Sequence, residues 1–255
     1  MKMSQENKIV PLVVSAAGLD PSAGAGVYAD VKTCAAFNVY CMAIPTTLTL
    51  QNAERFYGLE PVDQDYFRKT LFDVFSNNKA RALKIGLITE KFHVDVLAEC
   101  IQKFKPASTI LDPVMRSSNG FIFWGPELIE YAKEKLLGIV DVITPNVYEA
   151  EQLTGESLCP RELAVKLNKV YRCKVALTGG DVRTGTGDTV RDIFYDGYEI
   201  RERNAKFIDA PKHIKHGTGC RFSSALAANL ALGHDFMDAC FKSALYVEET
   251  IRGDK

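Results

Sequence analysis

Short apolar runs alternate along the chain with longer segments in which apolar residues recur every three or four positions. The short runs are rich in β-branched residues and predict strands, whereas the longer segments have the spacing of amphipathic helices. Apolar strands separated by helices of ten or more residues are typical of a parallel sheet covered on both faces, so the pattern predicts an α/β fold. The predicted strands are 9–17, 41–48, 82–88, 108–115, 139–145 and 173–179, and the predicted helices are 25–37, 64–77, 90–104, 126–137, 147–154, 161–171, 219–232 and 235–251.

One segment breaks this alternation. Residues 191–203 read RDIFYDGYEIRER, which predicts a β-hairpin that turns at Asp196 and Gly197. No internal repeat, low-complexity tract or linker interrupts the rest of the pattern, and 255 residues are enough to bury one large core. We therefore expect a single domain over residues 1–255.

Composition and charge indicate which class of molecule the chain binds. The 31 Lys and Arg residues nearly balance the 32 Asp and Glu residues, so no overall field attracts nucleic acid or an anionic membrane. The apolar run that follows MKMSQENK is too short to span a bilayer or to act as a secretory signal. These features favour a small-molecule partner and indicate neither nucleic-acid nor membrane binding.

The seven cysteines occur without a CxxC motif and without a cysteine–histidine cluster. An odd number of scattered cysteines fits free thiols in a reducing compartment better than a disulfide framework or a structural zinc site. A cytoplasmic location is therefore expected.

The tripeptide Gly-Thr-Gly occurs twice, and each copy precedes a residue that can move a proton. After Cys220 the apolar residues have helical spacing, so this copy opens a helix, where unpaired backbone N–H groups and the positive end of the helix dipole meet. After Asp188 a β-like segment follows, and residues 185–188 are predicted to be a flexible connector. The anion site is therefore predicted at Gly217, Thr218, Gly219 and Cys220.

Five blocks of the sequence occur in the order found in the hydroxymethylpyrimidine/phosphomethylpyrimidine kinases. They are AAGLDPSAGAGVYADVKTCAAFNVY, TLTLQN, LDPVM, ITPNVYEAEQLTG and HGTGCRFSSALAANLALG. The chain resembles this family from about residue 9 to residue 251. The resemblance implies a ribokinase-like three-layer α/β/α fold, with a central mostly parallel sheet flanked by helices and a small β-hairpin, and it suggests a homodimer. It also implies ATP- and Mg²⁺-dependent phosphorylation of 4-amino-5-hydroxymethyl-2-methylpyrimidine, and then of its monophosphate, in thiamine biosynthesis.

The resemblance implies that the Gly-Thr-Gly-Cys loop is an anion hole and that Cys220 is the base for the substrate hydroxyl. Because a helix N-terminus lowers the pKa of a thiol, we expect the pKa of Cys220 to lie toward neutrality. The backbone amides of the loop would stabilise charge on the phosphoryl group during transfer. The alternative is an ordinary buried thiol.

The same resemblance places ATP and metal near Asn146, Glu149 and Asp112. Carboxylate and amide oxygens suit Mg²⁺ held beside ATP phosphates, with Asp112 and Glu149 as the metal residues. Asn146 and Glu149 can equally form a helix capping box, and the two roles are compatible. Asp112 can also be a turn residue before Pro113.

The resemblance also assigns Thr178 and Gly180 to the ATP site. Thr178 stands where the family usually has Lys, which removes one cation from the nucleotide side. Arg116 or Lys215 could supply the missing charge.

For the pyrimidine, the resemblance nominates Gly18, Asp30, Thr49 and Gln51. The amide of Gln51 can pair twice with the edge of an aminopyrimidine, and Asp30 could orient the hydroxymethyl or ring amino group. The alternatives are a solvated helix residue for Asp30 and a loop amide for Gln51.

Two other functions fit the sequence. The first is a pyridoxal kinase, since pyridoxine carries a hydroxymethyl group on a similar flat ring. The second is a non-catalytic sensor of pyrimidines or nucleotides. A sensor needs neither a base nor a metal site, so the joint presence of Asp112, Asn146, Glu149 and Cys220 favours an enzyme.

Overall fold

The structure of the chain is a computed structural model that describes residues 10–52, 55–117, 120–179 and 189–253. Its strands lie side by side in one sheet with the order β3-β2-β1-β4-β5-β6-β7-β8-β9. The central strands are parallel, whereas β3, β8 and β9 each run antiparallel to the neighbour that comes before them in the chain. The strands are β1 Leu12–Leu19, β2 Tyr40–Gln51, β3 Phe56–Pro61, β4 Ala82–Ile85, β5 Ser108–Leu111, β6 Val142–Ile143, β7 Lys174–Leu177, β8 Thr189–Tyr195 and β9 Ile200–Lys206.

Helices cover both faces of this sheet and make three layers. They are α1 Gly26–Ala36, α2 Gln64–Asn77, α3 Lys91–Phe104, α4 Pro126–Lys135, α5 Val147–Thr154, α6 Pro160–Tyr171, α7 Lys212–Lys215, α8 Thr218–Ala231 and α9 Phe236–Arg252. Successive residues of a strand point to opposite faces, so Val13 belongs to the core layer under α1, α8 and α9, whereas Val14 belongs to the core layer under α2 to α6. The predicted three-layer α/β/α fold is therefore confirmed.

The helical pattern locates eight of the nine helices in the described residues to within two residues at each end, whereas the four-residue helix α7 was not predicted. Helices α2 and α5 have the predicted bounds. The hairpin is also confirmed: β8 and β9 pair antiparallel, and the carboxylate of Asp196 accepts hydrogen bonds from the Tyr198 and Glu199 amides in the turn. Within the described residues, no helix is long and apolar enough to cross a membrane.

The observed strands differ from the predicted strands more than the observed helices differ from the predicted helices. Strand β3 was missed because its sequence, FYGLEP, contains Gly and Pro and lacks a clear alternation; it pairs with β2 at the edge of the sheet. Strands β4, β5 and β6 end earlier than predicted. The apolar runs continue beyond them because the residues after each strand are themselves buried at the edge of the sheet.

Strand β1 pairs with β2 on one side and with β4 on the other. The chain connects β1 to β2 in one direction and then returns to β4 in the opposite direction, which makes this the switch point of the sheet. Ligands of open α/β sheets bind in the crevice at such a point, beyond the carboxyl ends of the strands.

Candidate active site

A cavity of about 570 Å³ lies beyond the carboxyl ends of the central strands. Eleven of the residues predicted for the site line it: Gly18, Thr49, Gln51, Asp112, Asn146, Glu149, Thr178, Gly217, Thr218, Gly219 and Cys220. Gly180 and the connector at 185–188 lie outside the described residues. Two shallow grooves elsewhere on the surface, along α4 and α6, are lined mainly by charged helix side chains and contain no strand-end residue. The candidate active site is therefore the cavity beyond the carboxyl ends of the central strands.

The Gly-Thr-Gly-Cys loop presses against the turn that follows β1. Gly217 caps α8 with φ +77°, a left-handed conformation that favours glycine. A Cβ at Gly217 would lie 2.0 Å from the carbonyl oxygen of Gly24, so no other residue fits without moving one of the two segments. Thr218, Gly219 and Cys220 form the first turn of α8, where backbone N–H groups lack intrahelical acceptors.

A hydrogen bond joins these two segments. Nε2 of His216 lies 2.8 Å from Oδ2 of Asp20, and the carboxylate of Asp20 also accepts hydrogen bonds from the Ser22 hydroxyl and amide and from the Ala25 amide. Burial alone would raise the pKa of Asp20, but these hydrogen bonds lower it below its ordinary value. Both His216 and Asp20 line the cavity.

Cys220 lines the cavity and accepts a hydrogen bond from the Gly26 amide at the start of α1. The expectation of a lowered pKa is wrong for the free protein: burial raises the pKa of Cys220 to about 12. Lys84 and the Gly26 amide act in the opposite direction, while the charges of Asp112 and Asp30 raise the pKa further. Loss of water around the sulfur and the nearby acidic groups together outweigh the effect of the helix terminus, although Cys220 is only half-buried at the cavity wall.

Asp112 and Glu149 form a pair of buried carboxyl groups. Burial, followed by the charge of Asp112, raises the pKa of Glu149 to about 8. Burial also raises the pKa of Asp112, although Lys84 and a hydrogen bond from Ser223 at 2.9 Å oppose it. A buried acid whose ionisation is disfavoured by burial and by a neighbouring carboxylate is a suitable place for a dication.

Glu149 and Asn146 also form a capping box, as the alternative predicted. The backbone N–H of Asn146 donates to the carboxylate of Glu149 at 2.9 Å, and the backbone N–H of Glu149 donates to the side-chain oxygen of Asn146 at 2.9 Å. This leaves few protein ligands for a metal, and the described part of the chain contains no cluster of three or more His, Cys, Asp or Glu side chains suited to an ion. Mg²⁺ fits such a donor set, because it keeps several waters and binds through one or two carboxylates plus phosphate oxygens.

Asp30 does not line the cavity, so the prediction that it contacts the pyrimidine is wrong. Its carboxylate is fully buried and receives hydrogen bonds from Ser15, Ser224 and the ammonium group of Lys84. It is not a solvated helix residue either. A single Lys inside the apolar run ALKIGLI is the one signal of this arrangement in the sequence.

The opposite wall of the cavity comes from β2 and from aromatic residues. Gln51 lines this wall, and so does Thr49, whose hydroxyl donates to the Leu19 carbonyl at 2.9 Å. Phe56 and Phe123 also line it, with ring centroids 5.3 Å apart. The sequence analysis did not single out these two rings. Phe56 begins β3, the strand that the pattern missed.

Both cations considered as replacements for the family Lys line the cavity. The guanidinium carbon of Arg116 lies 3.8 Å from the centroid of the Tyr148 ring. Lys215 lies 3.7 Å from Asp209 and over the ring of Phe207. Positive charge is therefore present although Thr178 carries none.

Comparison with known proteins gives a consistent result. The family model for phosphomethylpyrimidine kinase matches residues 20–255. A hydroxymethylpyrimidine/phosphomethylpyrimidine kinase from Aquifex aeolicus is 34% identical over 248 residues, which cover 96% of this chain and 95% of the relative. The chain spans 45% of the length of a probable thiamine biosynthetic bifunctional enzyme from Oryza sativa, to which it is 33% identical.

Two solved structures share the fold over nearly the whole chain. A phosphomethylpyrimidine kinase from Clostridium difficile 630 has a TM-score of 0.81 at 28% identity and covers 95% of this chain and 99% of its own. A pyridoxal kinase from Staphylococcus aureus, solved with pyridoxal, has a TM-score of 0.84 at 27% identity and covers 95% and 88%. The resemblance inferred from the sequence blocks is confirmed: this chain belongs to the phosphomethylpyrimidine kinase family.

Proposed function

We propose that this chain transfers a phosphoryl group from ATP to the hydroxymethyl group of 4-amino-5-hydroxymethyl-2-methylpyrimidine, and then to the resulting monophosphate, in thiamine biosynthesis. One observation carries the proposal. A single cavity holds the Gly-Thr-Gly-Cys loop, two buried carboxyl groups and a wall formed by Gln51 and aromatic rings. Two relatives that match over 95% and 90% of their own length are named hydroxymethylpyrimidine/phosphomethylpyrimidine kinase.

Each part of the cavity has a role in this reaction. The sulfur of Cys220 takes the proton of the hydroxyl group, whose oxygen then attacks the γ-phosphorus while ADP leaves. The amides of Gly217, Thr218 and Gly219 stabilise negative charge on the phosphoryl oxygens during transfer. A thiol with a raised pKa is ionised in few molecules at neutral pH, but its thiolate is a correspondingly strong base.

The nucleotide side is proposed to lie near Asn146, Glu149, Thr178 and Gly180, with Arg116 and Lys215 close to the phosphates. Asp112 and Glu149 would hold Mg²⁺, which supplies positive charge that offsets both the carboxylates and the ATP phosphates. Structures of related pyridoxal kinases have been solved with ADP and with AMP-PCP, which supports a nucleotide site in this fold.

The acceptor is proposed to lie against Gly18, Thr49 and Gln51. The Gln51 amide offers a donor and an acceptor to the edge of the aminopyrimidine. Phe56 and Phe123 provide apolar surface for a flat ring.

The deciding experiment compares turnover of the purified protein, with ATP and Mg²⁺, on the aminopyrimidine alcohol and on pyridoxal. We expect a higher kcat/KM for the aminopyrimidine and a second product, the diphosphate, at long times. A clear preference for pyridoxal would refute the aminopyrimidine as acceptor and favour pyridoxal, the substrate named for several structural relatives. Tight binding of the aminopyrimidine without any turnover would instead indicate a sensor.

We further propose one kinase domain over residues 1–255 that acts as a homodimer in the cytoplasm. The continuous sheet of the described residues supports one domain, and all seven cysteines are free thiols, as in a reducing compartment. The dimer is supported by the family resemblance alone. Sedimentation equilibrium tests it, with a mass of twice 28.2 kDa expected.

A further inference from the structure

A buried ion pair lies beside the cavity without lining it. Nζ of Lys84 is 2.9 and 3.0 Å from the two carboxylate oxygens of Asp30, and both side chains are 1% exposed. The proposed transfer uses neither residue directly. Removing two charges from water costs several kcal/mol per ion, and a buried pair is weak evidence for added stability. The contacts of the pair instead indicate a role in the reaction.

The pair lies where helices α1 and α8 pack together, and two polar contacts there bear on Cys220. At the first, the Gly26 amide of α1 donates to the sulfur of Cys220 in α8. Four residues further along each helix, Asp30 accepts a hydrogen bond from the Ser224 hydroxyl at 2.6 Å. Because four residues make about one helical turn, the two contacts share one face of each helix.

Two strands complete the surroundings of Asp30. The hydroxyl of Ser15 in β1 donates to it at 2.5 Å, and Lys84 reaches it from β4. Asp30 therefore fixes the first turns of α1 relative to the sheet and to α8 together. That first turn has little freedom, since a Cβ at Gly26 would lie 2.1 Å from the Gly18 carbonyl oxygen.

Charged groups face Cys220 from three elements: Lys84 from β4, Asp30 from α1 and Asp112 from the segment after β5. Burial raises the pKa of Cys220, and Lys84 is the cation that opposes it. Burial lowers the pKa of Lys84, but Asp30, Cys220 and Asp112 each raise it, so Lys84 stays protonated.

We propose that Lys84 and Asp30 are positioning residues for Cys220: they hold the first turn of α1 so that the Gly26 amide donates to the sulfur, and they place a positive charge behind the thiolate. This inference rests on the proposed function for its role in the reaction. The arrangement itself can be measured without ATP or acceptor.

The test is the rate at which iodoacetamide alkylates Cys220, followed by mass spectrometry of its peptide between pH 7 and 9. The thiolate forms the S–C bond as iodide leaves, so in the parent protein the rate rises about tenfold per pH unit below the pKa. The double variant Lys84→Met with Asp30→Asn removes both charges of the pair, so neither partner is left as an unpaired buried ion. A rise of one unit in the pKa of the thiol lowers the rate about threefold, because the remaining thiolate is more nucleophilic. We expect a loss of about that size, because the effect of Lys84 on the pKa of Cys220 exceeds the opposing effect of Asp30 and the Gly26 contact is loosened as well.

Arg203→Met is the matched control. It removes the cation of a partly buried ion-pair group elsewhere in the fold, Arg203 with Asp192 and Glu248, which does not face Cys220. Its Cys220 should react at the parent rate. Cys220→Ser identifies the peptide signal that belongs to this sulfur.

Ser224→Ala keeps both charges and removes the second contact between the helices. It should slow alkylation about twofold, a smaller effect because a single neutral donor is lost. If the double variant does not fold by circular dichroism, Ser224→Ala decides alone. Parent-like alkylation rates in the folded variants would make the pair purely structural and overturn the inference.

Turnover separates this inference from the proposed function. With the acceptor that the protein uses, the double variant should lose about tenfold in kcat while the KM for ATP changes less than about twofold, since the missing groups act on the base. A failure of the parent protein to phosphorylate the aminopyrimidine refutes the proposed acceptor and leaves the alkylation result unaffected.

Discussion

Replacing Gly217 by Ala tests the close fit between the Gly-Thr-Gly-Cys loop and the turn after β1. The new Cβ would lie 2.0 Å from the Gly24 oxygen, whereas real Cβ contacts stay beyond 3.0 Å, so the two segments must separate by about 1 Å. The left-handed φ of +77° adds a cost of about 1 kcal/mol, and strain in the displaced backbone adds about 1–3 kcal/mol. The free energy of unfolding should therefore fall by about 2–4 kcal/mol.

Gly219→Ala is the matched control, two residues further along the same loop. A Cβ added at Gly219 would have no atom within 4 Å, and Gly219 does not have a positive φ. The stability of this variant should stay unchanged or rise by about 0.5–1 kcal/mol, because Ala favours the helix.

Urea unfolding measures stability, and a coupled assay of ADP release measures turnover. A displacement of about 1 Å at a reacting group costs about a hundredfold in rate, so Gly217→Ala should lose that much in kcat/KM. Equal stability and equal turnover in the Gly217 and Gly219 variants would refute the fit described for this loop.

Three further predictions follow from other parts of the molecule. Glu149→Gln should raise the Mg²⁺ concentration needed for half-maximal turnover, because one of two carboxylates is lost; an unchanged titration would reduce Glu149 to its capping role. Arg116→Met should raise the KM for ATP about tenfold if this cation replaces the family Lys, and Lys215→Met is the companion variant whose larger effect would assign that role to Lys215. Burial lowers the pKa of His93 to about 4, so unfolding takes up a proton below about pH 6.5, and about 3 kcal/mol of stability present above that pH is lost as the pH falls to 4. His93→Gln should flatten this part of the stability profile in urea, and an equally steep profile would contradict the assignment.

Eight of the nine helices in the described residues, and the capping box of α5, could be predicted because their signals are local. The spacing of apolar residues located α2 and α5, and the Asn146–Glu149 pair could be recognised from its separation of three. The position of Cys220 at a helix start was equally local.

The features of the site that could not be predicted depend mainly on residues that are distant in the chain. Asp30 and Lys84 are 54 positions apart, and nothing near Asp30 reveals that β4 delivers an ammonium group to it. The raised pKa of Cys220 also depends on distant residues, since the carboxylates that add to the effect of burial come from α1 and from the segment after β5. Phe56 was missed because a six-residue edge strand with Gly and Pro has no clear period.

The central claim is that the Cys220 sulfur takes the proton of the acceptor hydroxyl inside this cavity. Single-turnover transfer from γ-labelled ATP to the aminopyrimidine alcohol, compared between the parent protein and Cys220→Ala, tests it most directly. Loss of a general base should slow transfer by about 10²–10⁴-fold, while calorimetry should give nearly the same affinity for the aminopyrimidine. Equal transfer rates in the two proteins would contradict the claim.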